Sequence, residues 1–438
     1  MKPFLLSTVV FIILMICFTK HSGIGNNHYD LIPIAKEAKI YAVIAKQYQT
    51  YGLIQTEGEA KIYGRLARTR IYGAFSDGAL LGFCNKVRNI GSYATYLYQV
   101  SSYQDGNCYD YLPYQSQSGG QGLIYSFLDK LNRDPIILKM FCATFFSAVL
   151  VAWFLWLHSS FGLIPALLIM LGTLCLRGLL IFGDNISQVL GATYLIMIAL
   201  FWAHKKRIKK IGTATFFVVL LKLLLNGPEY IFCALLLPFL PLVFYSILYK
   251  TSNQRVIKNA VLITGSVLLA CLVALLILLT QDSIAISSPT EAIHHFINRL
   301  LARTYAPNLL PEDGTGIFSQ YLTMNISIFQ LLHLYLSMPC INIASFQISF
   351  QTIILFFFMI SLLTFYLYRC LKQRILLALL VTTWSSILCP LSWIVIAKGH
   401  SASHTFIDQL VWHMPFTLLG MALTVVTLQT CIKKWGPE

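Results

Sequence analysis

Long apolar runs alternate with short polar connections along most of the chain. Windows of about 17 or more mainly apolar residues are long enough to cross a bilayer as α-helices. These windows predict about ten spans, at residues 4–18, 138–157, 162–183, 186–203, 211–225, 229–249, 259–280, 351–369, 375–397 and 410–431. We therefore predict an all-α fold, a polytopic transmembrane helical bundle, because helices satisfy their backbone hydrogen bonds internally.

Two polar segments are too long to be simple connections, and they divide the chain into five parts. The parts are a membrane anchor span (1–18), a first large external loop (19–137), a transmembrane core (138–280), a large fourth external loop (281–350) and C-terminal transmembrane helices (351–438). Apolar residues at helical spacing in 31–51 and 291–305 predict amphipathic helices at the bilayer interface. A signal peptide is the alternative to the anchor span, but no small-residue cleavage pattern follows it.

The composition supports a membrane protein. Hydrophobic residues make up 57% of the chain, charged residues only 11%, and the mean hydropathy is +0.69. A net charge of +15 suggests nucleic-acid binding at first, but the basic residues form short clusters between apolar runs. This distribution is typical of cytoplasmic loops and argues against a nucleic-acid partner; the expected partner is the lipid bilayer.

Charge also predicts the orientation. One set of alternate connections carries fourteen basic residues and a single acid, Glu438, whereas the other set carries the remaining 16 acids. Short loops rich in Lys and Arg face the cytoplasm. We expect both termini in the cytoplasm, residues 19–137 outside it, and a bacterial inner membrane with the active site on the periplasmic face.

The eleven cysteines do not form a disulfide scaffold. Eight lie in predicted spans or at their edges, where cysteine acts as a small apolar residue. Cys84 and Cys108 lie outside, where a disulfide and two free thiols both remain open. No CxxC spacing occurs, so no structural metal site is assigned.

Four charged residues are placed near the external ends of different spans. Arg177 and Lys222 approach the ends of the third and fifth spans, and Asp184 and Glu229 follow in short turns. A cation in mid-bilayer costs about 2.5–3.5 kcal/mol, and less near an interface. Their shared depth suggests a binding site for an anionic substrate; cations that only extend toward water are the alternative.

The turn between the ninth and tenth spans reaches the same level. Lys398, His400 and His404 are candidates for binding an anionic lipid headgroup. The two histidines are four residues apart, so one helical face would also present a metal pair, with Asp408 as the nearest acid. A hydrated interfacial turn is the third interpretation. A divalent metal therefore remains an option, but no metal ligands are assigned.

The first large loop contains candidate catalytic and sugar-binding residues. Asp30 and Asp77 are candidates for the general base that accepts a proton from an acceptor hydroxyl. Tyr114, Gln117 and Gln121 offer a ring and amides for sugar binding. A flexible linker is the alternative for this Gln- and Gly-rich stretch.

Two short stretches and the topology resemble a known enzyme class. The run Tyr-Gln-Ser-Gln-Ser-Gly-Gly-Gln-Gly at 114–122 is similar to Tyr-x-Ser-Gln-x-Gly-Leu-Gln-Gly, differing at Gly120. Residues 398–412 are similar to Lys-Gly-His-Ser-x-x-His-Thr-x-x-x-x-x-x-Trp. With the anchor, the long first loop and about ten spans, the chain resembles an uncharacterised bacterial branch of the GT-C superfamily of membrane glycosyltransferases.

The resemblance implies a transferase that takes sugar from a polyprenyl-phosphate carrier on the external face. Asp30, with Asp77 in reserve, matches the position of the family's catalytic acid, and Asp184 that of a second acid. The acceptor is expected to be a surface glycan, a lipid-linked glycan or a protein. The proposed mechanism stabilises the leaving phosphate with cationic groups. These groups are Arg177, Lys222, Lys398 and His400 or His404.

Three other classes stay open. An O-antigen-type polymerase uses a similar substrate on this face, although the long first loop argues against it. A membrane acyltransferase would suit the histidines. A transporter is expected to place charges deep within its spans and to use discontinuous helices.

We predict that Lys206 and Asp77 lie on opposite sides of the membrane, because the basic loops face the cytoplasm. Cysteines introduced at each position should react with an impermeant thiol reagent from opposite sides. The protein without the introduced cysteines controls for labelling of the native cysteines. Labelling of both positions from the same side would contradict the topology.

Overall fold

The computed structural model describes residues 3–21, 135–176, 178–179, 189–208, 210–228, 230–286, 288–304, 327–343, 346–403 and 409–435. The helices of the first half are α1 (Pro3–His21), α2 (Pro135–Phe161), α3 (Leu163–Leu174), α4 (Val189–Lys205), α5 (Ile211–Asn226), α6 (Ile231–Leu236), α7 (Phe239–Leu248) and α8 (Asn253–Ile286). Those of the second half are α9 (Pro289–Thr304), α10 (Ile328–Ser337), α11 (Phe350–Leu371), α12 (Arg374–Ser386), α13 (Leu388–Ile396), α14 (Lys398–Ser403), α15 (Gln409–Trp412) and α16 (Leu418–Trp435). A π-helical turn, His413–Thr417, joins α15 to α16.

Six apolar helical segments in the described residues are long enough to cross a membrane. They are Met140–Phe161, Ile231–Leu248, Asn253–Ser283, Phe350–Leu371, Arg374–Ile396 and Pro415–Trp435. The predicted class, an all-α integral membrane protein, is confirmed at this level. The other predicted spans coincide with α1, α3, α4 and α5; the number of spans, about ten, stays a prediction.

Two of these segments are interrupted briefly near prolines. Leu237 and Pro238 separate α6 from α7, and Ile387 separates α12 from α13. Pro238 and Pro390 lack the N–H that an unbroken helix would use. Leu237, Pro238 and Ile387 all keep right-handed helical dihedral angles, so the helical backbone continues through each interruption.

The helices form one contiguous apolar core. In the first half, α5 packs against α4 and most extensively against α8, while α2 contacts α1, α3 and α4. In the second half, α11, α12 and α16 pack on one another. The halves meet where α7 contacts α12, α6 contacts α13 and α3 contacts α16.

Several hydrogen bonds join helices within this core. Trp156 Nε1 donates to Tyr245 OH at 2.8 Å, which connects α2 to α7. Trp384 Nε1 donates to Ser361 Oγ at 2.8 Å, which connects α12 to α11. In an apolar interior such bonds are valuable because an unpaired polar group costs free energy.

Three of the basic connections share a local conformation. Arg207, Lys250 and Lys372 follow α4, α7 and α11 with φ values of 51°, 51° and 55°. A left-handed residue after a helix satisfies terminal carbonyl groups, and a cation at that end complements the helix dipole. The Arg207 guanidinium also lies 4.8 Å from the centre of the Tyr249 ring, so the connections after α4 and α7 lie at one end of the bundle.

The structure differs from the sequence-based expectation around the third span and the fourth external loop. The window 162–183 contains a helix that ends at Leu174, and Leu176 then forms an isolated antiparallel bridge with Ile341. The bridge extends a two-stranded antiparallel hairpin, β1 (Pro339–Ile343) and β2 (Phe346–Ser349), which was not predicted. Helix α10 precedes this hairpin.

Gly420 permits the close approach of α11 and α16. A Cβ at this position would lie 2.0 Å from Phe357 Cε2, and the ring is buried between the helices. We expect Gly420→Ala to lower the free energy of unfolding by about 1–3 kcal/mol, because the core must shift to admit the methyl group. Thermal unfolding of purified protein in detergent measures the effect.

Gly265→Ala is the matched control, since a Cβ at this helical position in α8 meets nothing within 4 Å. It should leave stability unchanged or raise it slightly, because alanine favours the helix. Equal effects of the two substitutions would contradict the role of Gly420.

Candidate functional site

Lys222 is buried among apolar side chains near the end of α5. Its side chain is 0% exposed, and Nζ donates a hydrogen bond of 3.0 Å to the carbonyl oxygen of Gly227. The side chain therefore runs along the helix toward its C-terminus. Since the last carbonyls of a helix lack intrahelical partners, an ammonium group there also complements the helix dipole.

The turn after α5 takes an unusual backbone path. Gly227 has φ 59° and ψ −148°, and its N–H donates to Leu223 O at 2.8 Å. Tyr230 is left-handed, with φ 53°, and immediately precedes α6. A non-glycine residue in this region is uncommon and is often found at functional sites.

Tyr230 connects this turn to the α13–α14 region. The centres of the Tyr230 and Trp393 rings lie 5.0 Å apart, and both side chains are buried. Trp393 is in the last turn but one of α13, and its carbonyl oxygen accepts from Ala397 N at 2.8 Å. Lys398, which begins α14, is partly buried. The two predicted sequence regions around Lys222 and Lys398 are therefore joined through one aromatic contact.

Two further helices surround α14. Tyr335 of α10 is buried, and its hydroxyl donates to Ser401 O at 2.9 Å. Helix α9 packs against both α8 and α14. Its apolar residues Ile293, Ile297 and Leu300 are 44–47% exposed, while Ala292 is buried. This arrangement agrees with the expected amphipathic helix, whose apolar stripe suits a bilayer interface.

A buried thiol and an imidazole lie beside the hairpin. Cys340 Sγ is 3.7 Å from His413 Nδ1, and neither side chain is exposed. A Cβ at Gly178 would lie 3.0 Å from His413 Nε2, so this glycine leaves room for the ring. Burial raises the pKa of the Cys340 thiol well above its usual range, which favours a neutral thiol over a nucleophilic thiolate.

Sequence reasoning missed Asp282. The hydropathy window ended at residue 280, but α8 continues to Ile286 and places Asp282 in the core with 0% exposure. The available signal was the run Gln281-Asp282-Ser283, which follows an apolar stretch without a helix-breaking residue. Acidic residues buried at membrane depth are costly and are commonly functional.

The predicted site residues fall into two groups. The structure describes the side chains of Lys222 and Lys398, and it places His400 on the backbone of α14. The other predicted positions lie outside the described residues: Asp30, Asp77, Tyr114, Gln117, Gln121, Arg177, Asp184, Glu229 and His404. Their roles stay predictions.

The described ranges contain no group of three or more His, Cys, Asp or Glu residues that would hold a metal ion. The regions that meet at the Tyr230–Trp393 contact carry two lysines, Lys222 and Lys398, together with aromatic rings and backbone carbonyls. Such a set suits an anionic ligand next to an apolar or sugar surface, because cations bind phosphate and rings pack on apolar faces.

No protein-family model, no curated protein and no solved structure matches the chain. The site must therefore be interpreted from its own chemistry.

We expect Tyr335→Phe to lower stability by about 1 kcal/mol, because it removes the hydroxyl that donates to Ser401 O and leaves that carbonyl without this donor. The same substitution should increase amide hydrogen exchange in α14. Tyr249→Phe is the control, since the Tyr249 side chain is 43% exposed and its ring contacts survive. Unchanged exchange in α14 would show that this bond does not hold the helix.

Proposed function

We propose that the protein is a membrane glycosyltransferase of the GT-C type that moves a sugar from a polyprenyl-phosphate carrier to an acceptor hydroxyl. The acceptor would be a surface glycan, a lipid-linked glycan or a protein. The supporting observation is the contact between Tyr230 and Trp393. Through this contact, the turn beside Lys222 and the helix that starts at Lys398 become parts of one region of the bundle.

The reaction needs a proton acceptor and a cationic site from the protein. The acceptor oxygen attacks the anomeric carbon while the bond from that carbon to the phosphate oxygen breaks, so one displacement inverts the configuration. A carboxylate, Asp30 or Asp77, accepts the proton of the hydroxyl. Arg177, Lys222, Lys398 and His400 or His404 would stabilise the negative charge that develops on the leaving phosphate.

The lipid part of the donor requires a location between helices and the bilayer. The exposed apolar stripe of α9 lies next to α14, and the lipid-facing residues Leu272 and Leu276 of α8 are 50% and 55% exposed. An isoprenoid chain held against these apolar surfaces would place its phosphate near the α13–α14 region. The positive-inside distribution supports our proposal that this region faces the periplasm of a bacterial inner membrane.

A transporter is the second candidate function. Lys222 and Asp282 are fully buried in helices of the bundle, as expected for a translocation pathway rather than for a rim. The π-helical turn at His413–Thr417 is a local irregularity of the kind that often marks functional sites. Reconstituted vesicles distinguish the candidates, because a transferase forms a new glycosidic bond and a transporter only moves its substrate.

We predict that purified protein binds polyprenyl phosphate and that Arg177→Gln weakens this binding by about ten- to a hundredfold, with insertion unchanged. A charge-assisted hydrogen bond to phosphate is worth about 1.5–3 kcal/mol. Arg177→Lys should restore binding only partly, because a point charge does not replace the two-pronged guanidinium contact. Binding of a fluorescent polyprenyl phosphate in nanodiscs measures the effect.

Lys434→Gln is the control, since Lys434 lies in the predicted cytoplasmic set and packs on the Tyr366 and Trp435 rings. Its affinity should equal that of the wild type. No binding by the wild type, or wild-type binding by Arg177→Gln, would overturn the phosphate-binding proposal.

We predict that Asn substitution at Asp30 or Asp77 lowers sugar transfer by about 10²–10⁴-fold, the usual contribution of a general base. Donor binding and membrane insertion should persist, because a carboxylate in a polar loop is expected to add little stability. Transfer to acceptor is measured with radiolabelled donor, and Asp105→Asn in the same loop is the control. Full activity of both variants would remove the general-base proposal, and loss of protein from the membrane would show a structural role.

A further inference from the structure

Two oppositely charged residues are buried in neighbouring helices. Lys222 in α5 and Asp282 in α8 both have 0% exposed side chains, and α5 and α8 form the most extensive helix–helix contact of the described bundle. An isolated charge is very costly in an apolar interior, whereas a charge near an opposite one is tolerated.

The two helices run in the same direction. A Cβ at Gly212, in the first turn of α5, would lie 2.9 Å from Ser266 Oγ and 3.7 Å from Leu262 O of α8. Further along α5, the ammonium group of Lys222 interacts electrostatically with the thiol of Cys271, which lies beyond Ser266 on α8. Advancing along one helix therefore advances along the other.

Asp282 lies on the same face of α8 as Cys271, the residue that interacts with Lys222. Cys271, Leu278 and Asp282 are separated by seven and four residues, a spacing that puts them on one helical face. Leu278 on this face is 6% exposed, as expected for a surface covered by another element.

The Lys222 side chain points along the helices toward the level of Asp282. Its Nζ reaches the carbonyl oxygen of Gly227, five residues further along α5. Gly212 lies level with Leu262 and Ser266 of α8, so Gly227, fifteen residues further along, lies level with about residues 277–281 of the parallel helix. The ammonium group, which donates to the carbonyl oxygen of Gly227, is therefore within about one helical turn of the level of Asp282.

We propose that Asp282 is the buried counter-ion of Lys222. The pair stabilises a charged lysine at membrane depth, and the lysine in turn holds the carbonyl oxygen of Gly227 and the turn that leads to Tyr230. Asp282 is thus a positioning residue for the region around Trp393 and Lys398. The proposal does not depend on glycosyl transfer, because the same pair would serve a transporter.

A double-mutant cycle tests the pair by thermal unfolding of the full-length protein in detergent. Lys222→Met and Asp282→Asn should each lower the melting temperature by about 5–15 °C, because each leaves one buried charge without its opposite. The double substitution should melt no lower than the milder single one. Independent effects that add in the double variant would overturn the proposal.

Lys222→Met with Glu291→Gln is the control cycle, since Glu291 in α9 is an exposed carboxylate. The effects of these two substitutions on the melting temperature should add. If a single variant fails to fold, the yield of monodisperse protein replaces the melting temperature. Folding of the double or the charge-exchanged variant (Lys222→Asp with Asp282→Lys) then supports the pair. Failure of both of these variants contradicts it.

The local consequence has its own readout. Loss of the pair should speed amide hydrogen exchange at Ile231 and Ala234, whose N–H groups bond to Pro228 O and Tyr230 O at 3.1 and 2.9 Å. Exchange in α16, away from this turn, should not change. Neither measurement uses a sugar donor, so failure of the pair and failure of the proposed function are distinguishable.

Discussion

A lysine ammonium buried among apolar helices must have oxygen near it, and this requirement shapes the region that we regard as functional. Lys222 meets it with the carbonyl oxygen of Gly227. That bond favours a turn in which glycine takes a positive φ and Tyr230 becomes left-handed. The tyrosine ring then reaches Trp393 of α13. A single electrostatic need thus connects α5 to a helix more than 160 residues later in the chain.

The rest of the bundle provides rigidity for this connection. Interrupted segments such as α6–α7 and α12–α13 keep helical backbone through their proline sites, so few backbone groups need outside partners. Close packing at Gly420 and interhelical bonds such as Trp384 to Ser361 fix the helices that hold α13. Polar hydrogen bonds of this kind are uncommon among apolar helices, but each restricts the packing to one arrangement.

The helices were predictable because hydropathy is a local property, whereas their ends and the site contacts were not. The windows coincide with α1 to α8, α11 to α13 and α16, since each of these apolar runs is continuous along the sequence. The window at 162–183 did not predict the break after Leu174, because Leu176 leaves the helix to pair with Ile341, a partner far away in sequence. Asp282 was overlooked for the opposite reason, since its helix continues past the apolar run. Lys222 and Lys398 were recognised as candidates, but only the fold reveals the Tyr230–Trp393 contact between their regions.

The π-helical turn at His413–Thr417 has a consequence for how this chain tolerates change in length. Leu418 N donates to His413 O, a bond five residues back instead of four, and Thr417 Oγ1 donates to Trp412 O at 3.0 Å. The π-helical turn therefore accommodates one extra residue within the helix. Deleting it would restore regular α-helix and turn Trp412 and His413 by about 100° relative to α16. Residues on the two sides of the turn can thus face different neighbours within one continuous helix: Trp412 before it contacts Phe350, and Gly420 after it lies against Phe357.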